Sequence, residues 1–355
     1  MSFEAWRALA LAPPRAFGEP PCSGILRQEP EDFRVEEDLG FAPDGAGAHL
    51  LLKVRKRNAN TAWVAQQLAR ELGCAVREVG FAGLKDRRAL AIQWFSLPAS
   101  PRALAQAPGL ERSEFVVLEA HRHGRKLPRG ALAGNAFTLR IRALRGSTEQ
   151  LRERCGQIAR CGVPNYFGPQ RFGREAANLA ALQALQSHPD SAPRARRPEG
   201  FVLSAARSLI FNAVLAERVR QGSWGQLRLG DLANLDGRGS VFAVNELSAD
   251  LPARLAQLDI HPTGPLWGQG APRTQGEVLA LEQGIAARLP EACALTAAAG
   301  LRPERRSLRL KVRDLVCECE ADVAVLRFWL RSGSYATAVV RELLADGAVA
   351  VDADD

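Results

Sequence analysis

The sequence predicts a mixed α/β (α+β) protein in which a helix-rich middle is inserted into a strand-richer chain. The first observation is size: 355 residues, 46% of them hydrophobic, suffice for two domain cores and argue against disorder or a fibrous repeat. The second is periodicity. Alternating apolar segments crowd both ends, whereas helical spacing takes over from about Thr148. The third is punctuation, since Gly and Pro accumulate between Gly222 and Gly276 and favour turns there.

Pro13, Pro14, Pro20 and Pro21 break the opening into turns and short strands, up to a segment where Phe33 and Val35 alternate with polar residues. HLLLKV at 49–54 reads as a strand running into the basic series Lys53, Arg55, Lys56 and Arg57. Asn60 or Thr61 then caps a helix in which Val64, Leu68 and Leu72 share a face, with Gly73 at its exit. VREVGFAG and ALAIQWFSL are strands flanking GLKDRR, which falls on a connection. Phe137, Leu139, Ile141 and Ala143 alternate with Thr138, Arg140 and Arg142, giving one core face and one basic face. Leu151, Cys155 and Ile158 mark a helix, and a second is expected from Glu175 to Gln186, followed by a loose connection at 187–200. Ser204 caps a third, carrying Leu209, Ile210, Val214 and Val219. SLRLKVRDLVCECE and VAVLRFWL return to strands before a last helix after Ser334.

The 47 Lys and Arg against 39 Asp and Glu leave a net charge of +8, which favours nucleic acid, an anionic membrane surface or an acidic protein as partner. A membrane is the poorer choice: no apolar run suggests a span, and the cations do not lie on a helix with large apolar anchors. Seven dispersed cysteines fit a reducing compartment, and the opening segment lacks the features of an export signal, so a cytoplasmic location is expected.

The most reactive arrangement is GLKDRR at 83–88, where Lys85, Arg87 and Arg88 bias Asp86 toward its ionised form and so toward a nucleophile or base. A solvated turn with surface ion pairs explains the same hexapeptide. Residues 120–148 hold seven Lys and Arg and no acid, a composition suited to phosphate; Arg302, Arg305, Arg306, Arg309, Lys311 and Arg313 could extend that footprint. In GNAFTLR, Phe137 can stack on a base and Asn135 can bond its edge or fix the Asp86 loop, although a core Phe and a turn Asn fit as well. Tyr335 can contact a base or anchor a helix start. His121 and His123 lack accompanying carboxylates, and Cys317 and Cys319 share a strand face without a second ligand pair, so no metal is expected. No phosphate-binding loop points to a nucleotide cofactor.

The ordered segments GFAGLKDRR, GNAFTLR, GVPNYFGPQRFG, LSAARSLIFN and FWLRSGSYATAVVREL, with EPEDFRVEEDLGFAPDGAGAHLLLKVRKRNANT before them, resemble the TruD family of transfer-RNA pseudouridine synthases over nearly the whole chain. The resemblance implies a pseudouridine-synthase catalytic fold around a bent antiparallel mixed sheet, interrupted by a TRUD-type insertion. The corresponding segments are 1–160, 161–307 and 308–355, with RNA in the cleft between domains. It makes Asp86 the catalytic carboxylate, with Arg27, Lys85, Asn135, Phe137 and Tyr335 on the substrate side. Arg27 stands where the family usually has Lys, and Tyr335 where it commonly has Phe. The implied reaction isomerises uridine 13 of transfer RNA, by a monomer, without cofactor or metal. The alternatives are an RNA-binding or RNA-folding protein that retains the fold without turnover, and a glycoside hydrolase, for which no second carboxylate is identified.

Overall fold

A computed structural model describes residues 1–187 and 200–345. The connection expected at 187–200 lies almost wholly outside them. The chain divides into two compact units: one comprises Pro20–Gly156, Val312–Ala336 and the segment from Leu343, and the other Met1–Glu19, Gln157–Lys311 and Thr337–Glu342.

The first unit is built on a nine-stranded mixed sheet. Its strands are β1 (Cys22–Leu26), β2 (Phe33–Asp38), β3 (His49–Arg57), β4 (Gly80–Phe81), β5 (Leu90–Pro98), β6 (Phe115–His123), β7 (Gly134–Gly146), β8 (Arg313–Glu320) and β9 (Val323–Arg331). They run β8-β9-β7-β2-β5-β3-β6, with β1 on β7 and β4 on β5. β2 and β5 are parallel, while the other pairs are antiparallel. Both strand-rich ends of the chain therefore share one sheet.

Helix α1 (Thr61–Leu72) covers part of it. Val64, Leu68 and Leu72 meet Leu50, Leu52 and Val54 of β3 together with Phe95 and Leu97 of β5, all buried. Each such side chain taken out of water contributes about 1.5–3 kcal/mol. The helix stops at Gly73, whose φ of 73° lets its N–H bond the Ala69 carbonyl at 2.9 Å in the left-handed region that glycine adopts without strain. The two-residue period of β3 carries Lys56 onto the same buried face as Leu52 and Val54, and that of β5 does the same for Gln93.

On β7, Phe137, Leu139 and Ile141 are buried as their alternation predicts, but Ala143 is exposed. Its φ is 47°, and the pairing with β1 slips between Ser23 and Ile25. A bulge there reverses the inward face.

The second unit centres on helix Gly200–Arg220, most of whose residues are buried, including Leu209, Ile210, Phe211 and Val214. It begins before Ser204, so that residue is no cap; its hydroxyl instead accepts from Arg171 at 2.8 Å. Against the expectation of no such run, this helix is long and apolar enough to cross a membrane, but two-thirds of its apolar window is buried in the unit. The opening residues form a helix, Phe3–Leu11, rather than turns and strands: its N-cap Ser2 accepts from Ala5 N–H, and Trp6, Leu9 and Ala10 enter the core. The prolines that suggested turns all follow it. Within the stretch expected to be irregular, Leu232–Leu235, Val241–Ala243 and Ile260–Leu266 form a sheet with Glu304–Ser307. Pro262 fits this sheet through its carbonyl, which accepts from Leu308 N–H at 2.9 Å.

Candidate active site

Asp86 lies on the connection between β4 and β5, as the strand pattern requires. The backbone of this loop is tied from three elements. Gln93 Nε2 on β5 donates to the Gly83 carbonyl at 2.7 Å; Lys85 N–H donates to Thr61 Oγ1 at the start of α1 at 3.1 Å; Lys56 Nζ on β3 donates to the Asp86 carbonyl at 3.1 Å. Thr61 in turn donates to Gln93 Oε1 at 3.0 Å. These polar groups occupy the end of the α1-facing core, where the apolar residues of β3 and β5 run out.

Side chains fix the loop as well. Lys85 Nζ is 2.6 Å from Glu37 Oε1 on β2, and Trp94 N–H donates to the other Glu37 oxygen at 2.8 Å. Burial pushes the Glu37 carboxyl above its usual range, while Lys85 pulls the other way. The Asp86 carboxylate itself is 37% exposed and takes Arg27 Nη2 at 2.7 Å. Arg27 is buried directly after β1 and holds a φ of 63°, an uncommon conformation for a residue with a Cβ, which costs of order 1 kcal/mol and clusters at functional sites. Its guanidinium also lies 4.0 Å from the centre of the Phe33 ring, a cation–π contact.

From Phe33 the aromatic contacts continue. Phe137 meets Phe33 edge-on at 6.1 Å and stacks on Phe328 at 5.3 Å; Phe328 is its direct partner across β7 and β9. Asn135, two residues back on β7 and facing Glu37 across the β2 pair, is 8% exposed, and its Oδ1 has no hydrogen-bond partner. An acceptor so buried without a donor is costly and awaits one. Asp86 is thus joined to Arg27, and Arg27 to Phe137 through Phe33, while Lys85 and Asn135 are both neighbours of Glu37. Tyr335 stands apart in the turn before helix Ala336–Leu343, 42% exposed. Leu84, beside Lys85 in the same loop, is 70% exposed.

Sequence reasoning missed Lys56, Thr61, Gln93, Glu37, Phe33 and Phe328. The signal for the first was present: Lys56 continues the Leu50, Leu52, Val54 parity, although the run of cations around it suggested a surface. The contacts of Glu37 and Phe328 depend on strand pairing, which no local pattern displays.

Cys22, Cys155, Cys317 and Cys319, all free thiols, also come together, with 3.7 Å between the sulfurs of Cys317 and Cys319 and a hydrogen bond between Cys155 and Cys317. Burial pushes the Cys22 thiol up, and that of Cys319 up to about 11. Among the described residues no group of three or more His, Cys, Asp or Glu is arranged to hold a metal ion. A hollow of about 1330 Å³ lies in the other unit, among Gln221, Arg228, Gln275 and Arg288, and touches none of the site residues.

A sequence model of one family, tRNA pseudouridine synthase D (TruD), matches residues 15–192 and 179–343. The tRNA pseudouridine synthase D of Methylococcus capsulatus is 45% identical over 333 residues, covering 93% of this chain and 94% of that protein. That of Pseudomonas aeruginosa is 45% identical over 338 residues, covering 95% and 94%. In fold, the chain is similar to the solved structure of a TruD-named protein from Methanosarcina mazei, with a TM-score of 0.73 at 22% identity over 95% of this chain and 97% of the other.

Proposed function

The chain belongs to the TruD family, tRNA pseudouridine synthase D, and on that premise we propose that Asp86 is the carboxylate with which it converts uridine to pseudouridine in transfer RNA, at position 13. The chain is a tRNA pseudouridine synthase, an isomerase. The observation that carries Asp86 is its mounting: a half-exposed carboxylate on a loop tied down at Gly83, Lys85 and its own carbonyl, with Arg27 at 2.7 Å.

The reaction breaks the bond from ribose C1′ to uracil N1, turns the base and rejoins it through C5, whose proton then leaves. Ionised Asp86 serves either by attacking C1′ or by removing a ribose proton on a glycal-type path. A group that must act on ribose needs a nucleotide drawn out of its stack. Arg27, paired with the carboxylate at 2.7 Å, aims it. Phe137, backed by Phe328 and Phe33, supplies a floor for the detached base, and Tyr335 a more exposed ring. The Oδ1 of Asn135 accepts from the imide N–H of uracil, a donor that cytosine lacks at the same atom. Lys85 belongs to this set through Glu37, which fixes its end of the loop. Substrate and product are isomers, so no redox partner or donated group enters, and the enzyme works without cofactor as a cytoplasmic monomer. Segment 161–307 is the family insertion within the catalytic domain.

Mapping pseudouridine in unmodified transfer RNA after incubation with wild-type and Asp86→Asn protein tests the reading. Wild type is expected to modify a single uridine, and D86N to lose at least a thousandfold in turnover while its RNA affinity stays within about threefold, as for a group that acts in the transition state. Turnover by folded D86N removes Asp86 from the role, and release of free uracil identifies a hydrolase instead.

A further inference from the structure

We infer that Lys56 is a positioning residue, whose buried ammonium fixes the backbone of Asp86 and thereby the direction of the reacting carboxylate. The inference rests on the reading of Asp86 given above. Lys56 is fully buried, so it cannot serve as a phosphate contact, the usual employment of a cation in an RNA-modifying enzyme. Its Nζ donates to the Ala59 carbonyl at 2.6 Å and to the Asp86 carbonyl at 3.1 Å. A buried ammonium is costly unless its donors are used, and here two carbonyls take two of its three. One lies in the turn between β3 and α1. The other belongs to the residue whose side chain is to react.

Holding that carbonyl fixes the peptide plane leaving Asp86. Together with the tie from Thr61 to Lys85 N–H one peptide earlier, it restricts the backbone on both sides of Asp86 and so the range of its Cα–Cβ bond. A misplacement of about 1 Å at a reacting group costs roughly a hundredfold in rate. The charged groups acting on Lys56 are Asp86, Lys85 and Glu37, while its strand partners on β5 and β6 are Ala91 and Phe115. Burial brings the ammonium down to about 8; Asp86 and Glu37 resist this and Lys85 adds to it. It is charged at neutral pH and loses its proton as pH rises through about 8. Neutral Lys56 makes weaker bonds to both carbonyls and no longer offers positive charge to Asp86.

The test is the pH profile of single-turnover isomerisation on unmodified transfer RNA, for wild type, Lys56→Met, Lys56→Arg and D86N. Wild-type turnover is expected to fall on the alkaline side around pH 8. K56M is expected to lose about a hundredfold at saturating RNA, with KM within threefold and no alkaline fall. K56R, whose guanidinium does not titrate in this range, is expected to recover part of the rate and keep it past pH 9. Wild-type turnover in folded K56M, an unchanged alkaline fall in either variant, or a wild-type profile flat through pH 9 overturns the inference. An active D86N would instead bring down the reading of Asp86, so the two failures are distinct.

Discussion

Residues 120–148 and 302–313 are similar in charge: seven Lys and Arg with no acid in the first, six with the single acid Glu304 in the second. In the structure they do different things. Arg122, Arg125, Lys126, Arg129, Arg140 and Arg145 of the first stretch are exposed, although Arg122 and Lys126 also reach the carbonyls of Gly47 and Arg77 and Arg129 lies over Phe81. In the second, Arg305 forks onto Glu282 with both nitrogens, at 2.8 and 2.9 Å, while Arg309 is buried against His261 and the carbonyls of Leu255 and Ile260. Arg306 bonds Asn165 and covers Phe167, and Lys311 reaches the carbonyls of Gln257 and Leu258. The second stretch thus joins elements of its own unit, and the burial of Arg305 and Arg309 speaks against their extending an RNA footprint. A local count of cations measures charge, whereas the acceptors that consume it come from far along the chain. Arg142 shows both cases within one stretch, since Asp32, fully buried, has taken it at 2.8 Å.

The contrast can be broken by substitution. Arg309→Met should do the most damage: it strips donors from the buried Ile260 carbonyl, the half-buried Leu255 carbonyl and a histidine, for a loss of about 3 kcal/mol or more in urea unfolding. The salt dependence of RNA binding in the surviving folded protein should not change. A stable variant with a shallower salt slope would return Arg309 to the RNA-binding class. Arg142→Gln should lower the melting temperature less, because water reaches that guanidinium. Its signature is in the pH dependence. Burial works to raise the Asp32 carboxyl, but the Arg142 and Glu29 hydrogen bonds outweigh it and hold the group below its ordinary 3.8. The unfolded chain therefore binds the proton first as pH falls, so the wild-type contribution is present above about pH 4 and lost as acid titrates the folded carboxyl. Acid scans of R142Q should lack that part of the loss. Smallest of all, Arg140→Gln should leave stability unchanged within about 0.5 kcal/mol. It should also reduce the slope of log affinity against log salt by about 0.7–0.9. An unchanged slope would leave Arg140 without a phosphate.

The Asp86 loop follows the same logic in miniature. Its place between two strands is legible, because VREVGFAG and ALAIQWFSL carry apolar residues on both sides of a polar hexapeptide. Helix α1 is legible too, since period and exit agree, although Asn60 at its start makes no side-chain cap bond. What escapes is the set of ties that hold the loop. Gln93, Thr61, Lys56 and Glu37 lie on four different elements, and each is locally unremarkable. Helix Phe3–Leu11 is hard to see in the sequence because four prolines downstream outweigh a Ser cap and a short apolar face.

The sequence by itself determined the class of fold, the strand–helix order of most of the first unit and the family, because these rest on periodicity and on an ordered set of short motifs. The tertiary structure alone decided which cations meet solvent and which are bound inside, how Asp86 is held, and which rings line up behind Phe137. The physical reason is that charge and hydrogen-bonding capacity belong to single residues, but whether they are satisfied depends on partners that only chain packing brings within 3 Å.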